Sequence, residues 1–124
     1  MTDVRRDADQ IWDRACGQGG HGRGDVALAS LIALHSLAMN GGVLHSLETL
    51  GPMRVAAAID GYRYFGLDAI VPMLEEGRRG LQAGSELEAL EDRLDEQYGE
   101  LVPSDDLLFR AFLARLQQHS SDFE

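Results

Sequence analysis

A chain of 124 residues is long enough to bury one hydrophobic core and too short for two. Acids outnumber bases 21 to 11, a formal charge of −10, which argues against binding a phosphate backbone or an anionic membrane, since both need clustered cations. A basic protein surface is the partner such a field attracts, although acidity also serves plain solubility.

The N-terminal segment is charged throughout, with no apolar core that would mark a secretory signal. The first predicted helix runs from about Asp3 to Cys16, with Val4, Ala8, Ile11, Trp12 and Ala15 at helical spacing. Cys16 is the single cysteine, so an internal disulfide framework and a multi-cysteine zinc site are excluded. Its setting reads as a small buried apolar position. A glycine-rich run from Gly17 to Gly24 follows and is expected to be a flexible loop. Residues 1–24 thus form an N-terminal helix and loop, and 25–124 the main helical domain, the two making one compact unit.

Asp25 is placed to cap a second helix, Val26 to about Met39. Residues 26–47 hold no Asp, Glu, Lys or Arg, the length of a membrane span. Yet His35, Asn40, His45, three serines and paired glycines are costly or helix-weakening in lipid. The stretch reads as buried core, and the compartment as cytoplasmic.

Asn40-Gly41-Gly42 stops that helix and lets another start at Val43. Gly51-Pro52 marks a stop and restart, with Pro at a first helical position. The helix after it presents Val55, Ile59, Tyr62 and Phe65. Asp68 caps a further helix through Leu74, and Gly77, Gly80 and Gly84 predict a loose connection. Ser85 and Glu88 have the spacing of a capping box. The helix they open places Leu87, Leu90, Leu94, Tyr98 and Leu101 on one side. Ser104 caps the last helix, with Leu108, Phe109, Phe112, Leu113 and Leu116 inward, and Ser120 to Glu124 is expected to fray. The fold class is all-α, a bundle of six or seven short helices.

Three patterns could carry chemistry. Gly17-x-Gly19-x-x-Gly22 has dinucleotide-loop spacing, but it follows a helix where that loop must follow a strand. Arg23-Gly24-Asp25 reads as a loop and cap. His21, His35, His45 and His119 include no i,i+3 or i,i+4 pair, so no helical metal site, cofactor or catalytic residue is assigned. His35, Asn40 and His45 converging in a pocket is the enzymatic or ligand-binding alternative.

The fourth feature is electrostatic. Glu86, Glu88, Glu91, Asp92, Asp95, Glu96, Glu100, Asp105 and Asp106 are accompanied only by Arg93, placed to relieve Glu96. Glu88–Asp92, Glu91–Asp95 and Glu96–Glu100 are like-charge i,i+4 pairs, each costing a few tenths of a kcal/mol. Carboxylates one turn apart advance roughly 6 Å, and DNA phosphates two steps apart roughly 7 Å. A solvated face accounts for such a row equally well on spacing alone.

The segment His35-Ser-Leu-Ala-Met-Asn-Gly-Gly-Val-Leu-His-Ser-Leu-Glu48, followed by a Pro-led helix, an acidic Leu-rich helix ending near Tyr98 and a final Asp-Asp-Leu-Leu helix, resembles the DNA-mimic-protein-19-like domain. The resemblance covers residues 25 to 124. Val43 and His45 depart from it, standing where the family tends to have an aromatic residue and a Gln. It implies an all-helical, dimeric, non-enzymatic protein whose acidic groups imitate phosphates and occupy a DNA-binding protein. The partner-binding set is then Glu86, Glu88, Glu91, Asp92, Asp95, Glu96 and Glu100, with Asn40, Gly41 and Gly42 as a structural motif. The partner is a basic protein, a transcriptional regulator or, in an immunity-type role, a toxin.

Overall fold

The second helix sets the architecture, because it is apolar around most of its circumference and must be covered on several sides. In the computed structural model, which describes residues 4–17 and 19–123, it is α2 (Arg23–Gly41). Leu28, Leu31, Leu34 and Ala38 are buried along it. Around it lie α1 (Val4–Cys16), α3 (Val43–Tyr64), α4 (Val71–Ala83), α5 (Leu87–Leu101) and α6 (Asp105–Gln118). Two 3-10 turns, Asp68–Ile70 and Ser120–Asp122, complete the fold. Among the described residues there is no strand, so the fold is all-α.

Gly42, at φ 96°, is the hinge between α2 and α3. The chain turns back there, and Gly61 of α3 comes so close to Ala27 of α2 that an added Cβ would stand 2.5 Å from the Ala27 carbonyl oxygen. Gly51, at φ 80° and ψ 169°, leaves the helical conformation, so α3 is two helical segments that meet at a kink, the second led by Pro52 as expected.

Several expectations are corrected. Gly77 and Gly80 do not loosen a connection; both lie inside α4. A Cβ on Gly77 would meet Leu47 at 2.6 Å and Leu94 at 3.1 Å, and one on Gly80 would overlap Leu90. Glycine there admits α3 and α5 against α4, a packing gain that outweighs its poor helix propensity. The Ser85–Glu88 capping box does not form: Glu86 takes the capping position at φ 54°, with no side-chain cap bond. Asp25 is the third residue of α2 and not the one that precedes it, which is Gly22, but its carboxylate still serves the helix start by accepting from the Gly22 N–H at 3.2 Å.

The two termini also differ from expectation. Cys16 is exposed. The glycine loop closes at Gly22, and its glycines make a seat for the C-terminal segment. A Cβ on Gly24 would fall 2.5 Å from the Phe123 ring, and one on Gly22 would overlap the Asp122 carbonyl. Phe123 is buried against Phe65 and Phe112 rather than frayed. Asp3, Glu124 and the side chain of Val4 lie outside the described residues.

Candidate functional site

The outer surface of α5 is set by its sequence period. Leu90, Leu94 and Tyr98 are buried on one side, and at about 100° per residue the acids fall on the remaining arc. Glu88, Glu91, Asp92 and Asp95 occupy one flank, Glu96 stands nearly opposite Leu94, and Glu100 shares the other flank with Arg93. Every one of these acids, and Glu86 ahead of the helix, is exposed.

Arg93 does not relieve Glu96. It crosses to α4, where its Nε donates to Glu76 at 3.1 Å, because its position on the α4-facing flank turns it away from the acidic arc. Arg110 pairs with Asp106 at 2.9 Å. Among the described residues no salt bridge reaches Glu86, Glu88, Glu91, Asp92, Glu96 or Glu100. Six carboxylates therefore face solvent without a cation, a field that a basic surface can neutralise.

Asp95 is different. Its Oδ1 accepts a hydrogen bond from the Val43 N–H at 2.8 Å. Gly42 precedes α3 and has no side chain to cap it, so α5 supplies the cap from 52 residues away. A carboxylate at a helix N-terminus is also stabilised by the aligned peptide dipoles. Asn40 and Gly41 lie in the exposed last turn of α2, and Gly42 holds the left-handed backbone that a side chain would strain.

Beneath the acidic arc runs a polar chain, buried from Tyr62 to His35 and ending at the exposed Asp105. The Tyr62 and Tyr98 hydroxyls lie 2.8 Å apart, Tyr98 Oη is 2.7 Å from His35 Nδ1, and His35 Nε2 is 2.7 Å from Asp105 Oδ1. A neutral imidazole satisfies every contact: Nε2–H donates to the carboxylate, Nδ1 accepts from Tyr98, and Tyr98 accepts from Tyr62. Burial pushes both tyrosines well above the ordinary phenol range, more than any neighbouring charge does. The chain ties α2, α3, α5 and α6 together.

His35, Asn40 and His45 are not brought together. His35 is buried with both nitrogens engaged, whereas Asn40 and His45 are exposed. The shallow hollow at the α2–α3 junction is lined by Asn40, Gly42, Asp95 and Tyr98 and by neither histidine. No cluster of His, Cys, Asp and Glu among the described residues could hold a metal ion. No described helix is long and apolar enough to cross a membrane.

No family model matches the chain, and neither a curated protein nor a solved structure matches it.

Proposed function

We propose that this protein is a non-enzymatic interaction protein whose α5 carboxylate face occupies the basic surface of a partner. The observation that supports the reading is the set of six exposed carboxylates left without a cation while the neighbouring Arg93 and Arg110 pair elsewhere. Keeping like charges one turn apart costs stability, so their concentration on one face gains a reason if that face meets cations. The partner is a basic protein such as the DNA-contacting surface of a transcriptional regulator, with the carboxylates standing in for phosphates.

Affinity capture from the source lysate at low and high salt tests this. A basic protein is retained at low salt and released as the screening length falls below about 10 Å near 0.1 M. Converting Glu88, Asp92 and Glu96 together to their amides abolishes retention and leaves the helical spectrum intact. Retention unchanged by those substitutions, or no basic protein held at low salt, would falsify the reading. A toxin as the captured species assigns the same face to an immunity role. Homodimerisation is a separate part of the proposal, checked by light scattering at tens of micromolar.

A further inference from the structure

In a chain with ten more acids than bases, the arginines would be expected to find carboxylates easily. Arg23 and Arg115 do not: among the described residues neither forms an ion pair or a side-chain hydrogen bond. Their guanidiniums lie instead on the Tyr64 ring, at 5.4 and 4.5 Å from its centroid. The Arg115 Nε is buried with no acceptor, a state that native structures rarely tolerate without a reason.

Both arginines line one open groove of about 520 Å³ between α2, α3 and α6, and Arg63 lines it too. Among the described residues Arg63 pairs with Asp60 alone, at 3.8 Å with both side chains exposed, a loose contact that a better acceptor displaces. The Tyr64 hydroxyl donates to Asp122 at 2.6 Å. Asp60 is the one acid of the wall, set against the three arginines, and the rest is small or apolar: Val26, Ala27, Ala57 and Gly61, with the Ser30 hydroxyl among them. Val26 is 53% exposed there, a large apolar side chain left uncovered.

We infer that this groove binds a small organic anion, a phosphate or carboxylate head held by Arg63 and Arg115 with an apolar body laid along Val26 and Ala57. Guanidinium forks match either head group in geometry, and a mostly apolar wall with a few convergent polar groups is the usual make-up of a small-molecule site. Tyr64 fixes the orientation of Arg115 in advance, so little side-chain freedom is lost on binding. No groove residue belongs to α5, so this site and the acidic face succeed or fail independently.

The test is a heteronuclear NMR titration of the full chain with phenylphosphate, benzoate and inorganic phosphate. Saturable shifts at Val26, Ser30, Arg63 and Arg115 are expected with phenylphosphate or benzoate, at affinities at least tenfold tighter than inorganic phosphate. Arg115→Gln and, separately, the exposed Arg63→Gln each weaken binding tenfold or more. Arg110→Gln, on the outer side of α6, changes it less than twofold. Absence of saturable shifts with both organic anions overturns the inference. So does equal loss in the Arg110 variant, which would reduce the effect to general charge attraction, or equal affinity for inorganic phosphate, which would remove the apolar body. Arg63 is exposed, so its variant decides the matter even if Arg115→Gln fails to fold.

Discussion

Leu90, Leu94 and Tyr98 on the inner side of α5 each meet a specific partner: glycine notches in α4 for the leucines, and the His35 chain for Tyr98. Glu88, Glu91, Asp92 and Glu96 on the outer side are exposed and, among the described residues, meet no cation. One helix thus holds a face where every change of volume or hydrogen bonding is felt and a face where substitution barely touches stability. Asp95 sits between them, exposed like the outer acids yet bonded like the inner residues. The contrast shows that exposure alone does not separate binding residues from structural ones; the hydrogen-bond partner does.

Three measurements would break or sharpen this contrast. Leu94→Ala should have the largest effect, destabilising by about 2–5 kcal/mol in urea denaturation, because the leucine is fully buried between α3, α4 and α5 and leaves a cavity. A loss under about 1 kcal/mol would mean that α5 is not packed as described.

Tyr98→Phe should cost about 2 kcal/mol, since it strips Tyr62 of its acceptor and His35 Nδ1 of its donor while keeping the ring. The same residue gives a pH signature. All three tyrosines have phenol groups raised in the folded state, Tyr64 to about 12 through burial first and its bond to Asp122 second. A raised acid holds its proton in the folded chain after the unfolded chain has released it, so unfolding is increasingly favoured as pH climbs. Stability from this source is intact below about pH 10, the unfolded phenol value, and is lost as pH rises towards the folded values. Urea midpoints should therefore be flat from pH 8 to about 9.5 and fall above 10. Tyr98→Phe should show a shallower fall; an identical one would detach Tyr98 from the buried chain.

The smallest effects come from the outer side. Asp95→Ala should destabilise by about 1 kcal/mol through loss of the α3 cap. Asp92→Ala should lie within about 0.5 kcal/mol of the parent, on the stabilising side, because it relieves Glu88 and Glu96. Equal effects in the two variants would erase the distinction drawn for Asp95.

Local pattern specifies most of the helices. The helical period in α1, α2, α5 and α6 and the glycine hinge at 42 follow from neighbours three or four residues apart, and so does the exposure of the acidic arc. The errors share a cause. Local propensity makes Gly77 and Gly80 helix breakers and is blind to the space that Leu47, Leu90 and Leu94 need from their missing side chains. Nothing near Phe123 in sequence shows that Gly22 and Gly24 open a seat for the tail, so local pattern predicts fraying. Ser85 has the spacing of a cap, but the turn at Gly84 and Glu86 leaves it outside the helix.

What the sequence by itself determined is therefore what depends on short separations: helix class, and a run of nine acids with one arginine among them; residues 26–47 supply much of the core, yet Val26, Ser36, Met39, Asn40, Gly41 and His45 within them are exposed. What only the tertiary structure decided is which side chains meet across long ones. Asp95 caps a helix 52 positions away, His35 joins residues 63 and 70 positions away, and Arg23, Arg63 and Arg115 come to one groove from three helices. Periodicity reports which face of a helix turns inward. It carries no information on the partner that face will find, because packing geometry and not spacing selects it.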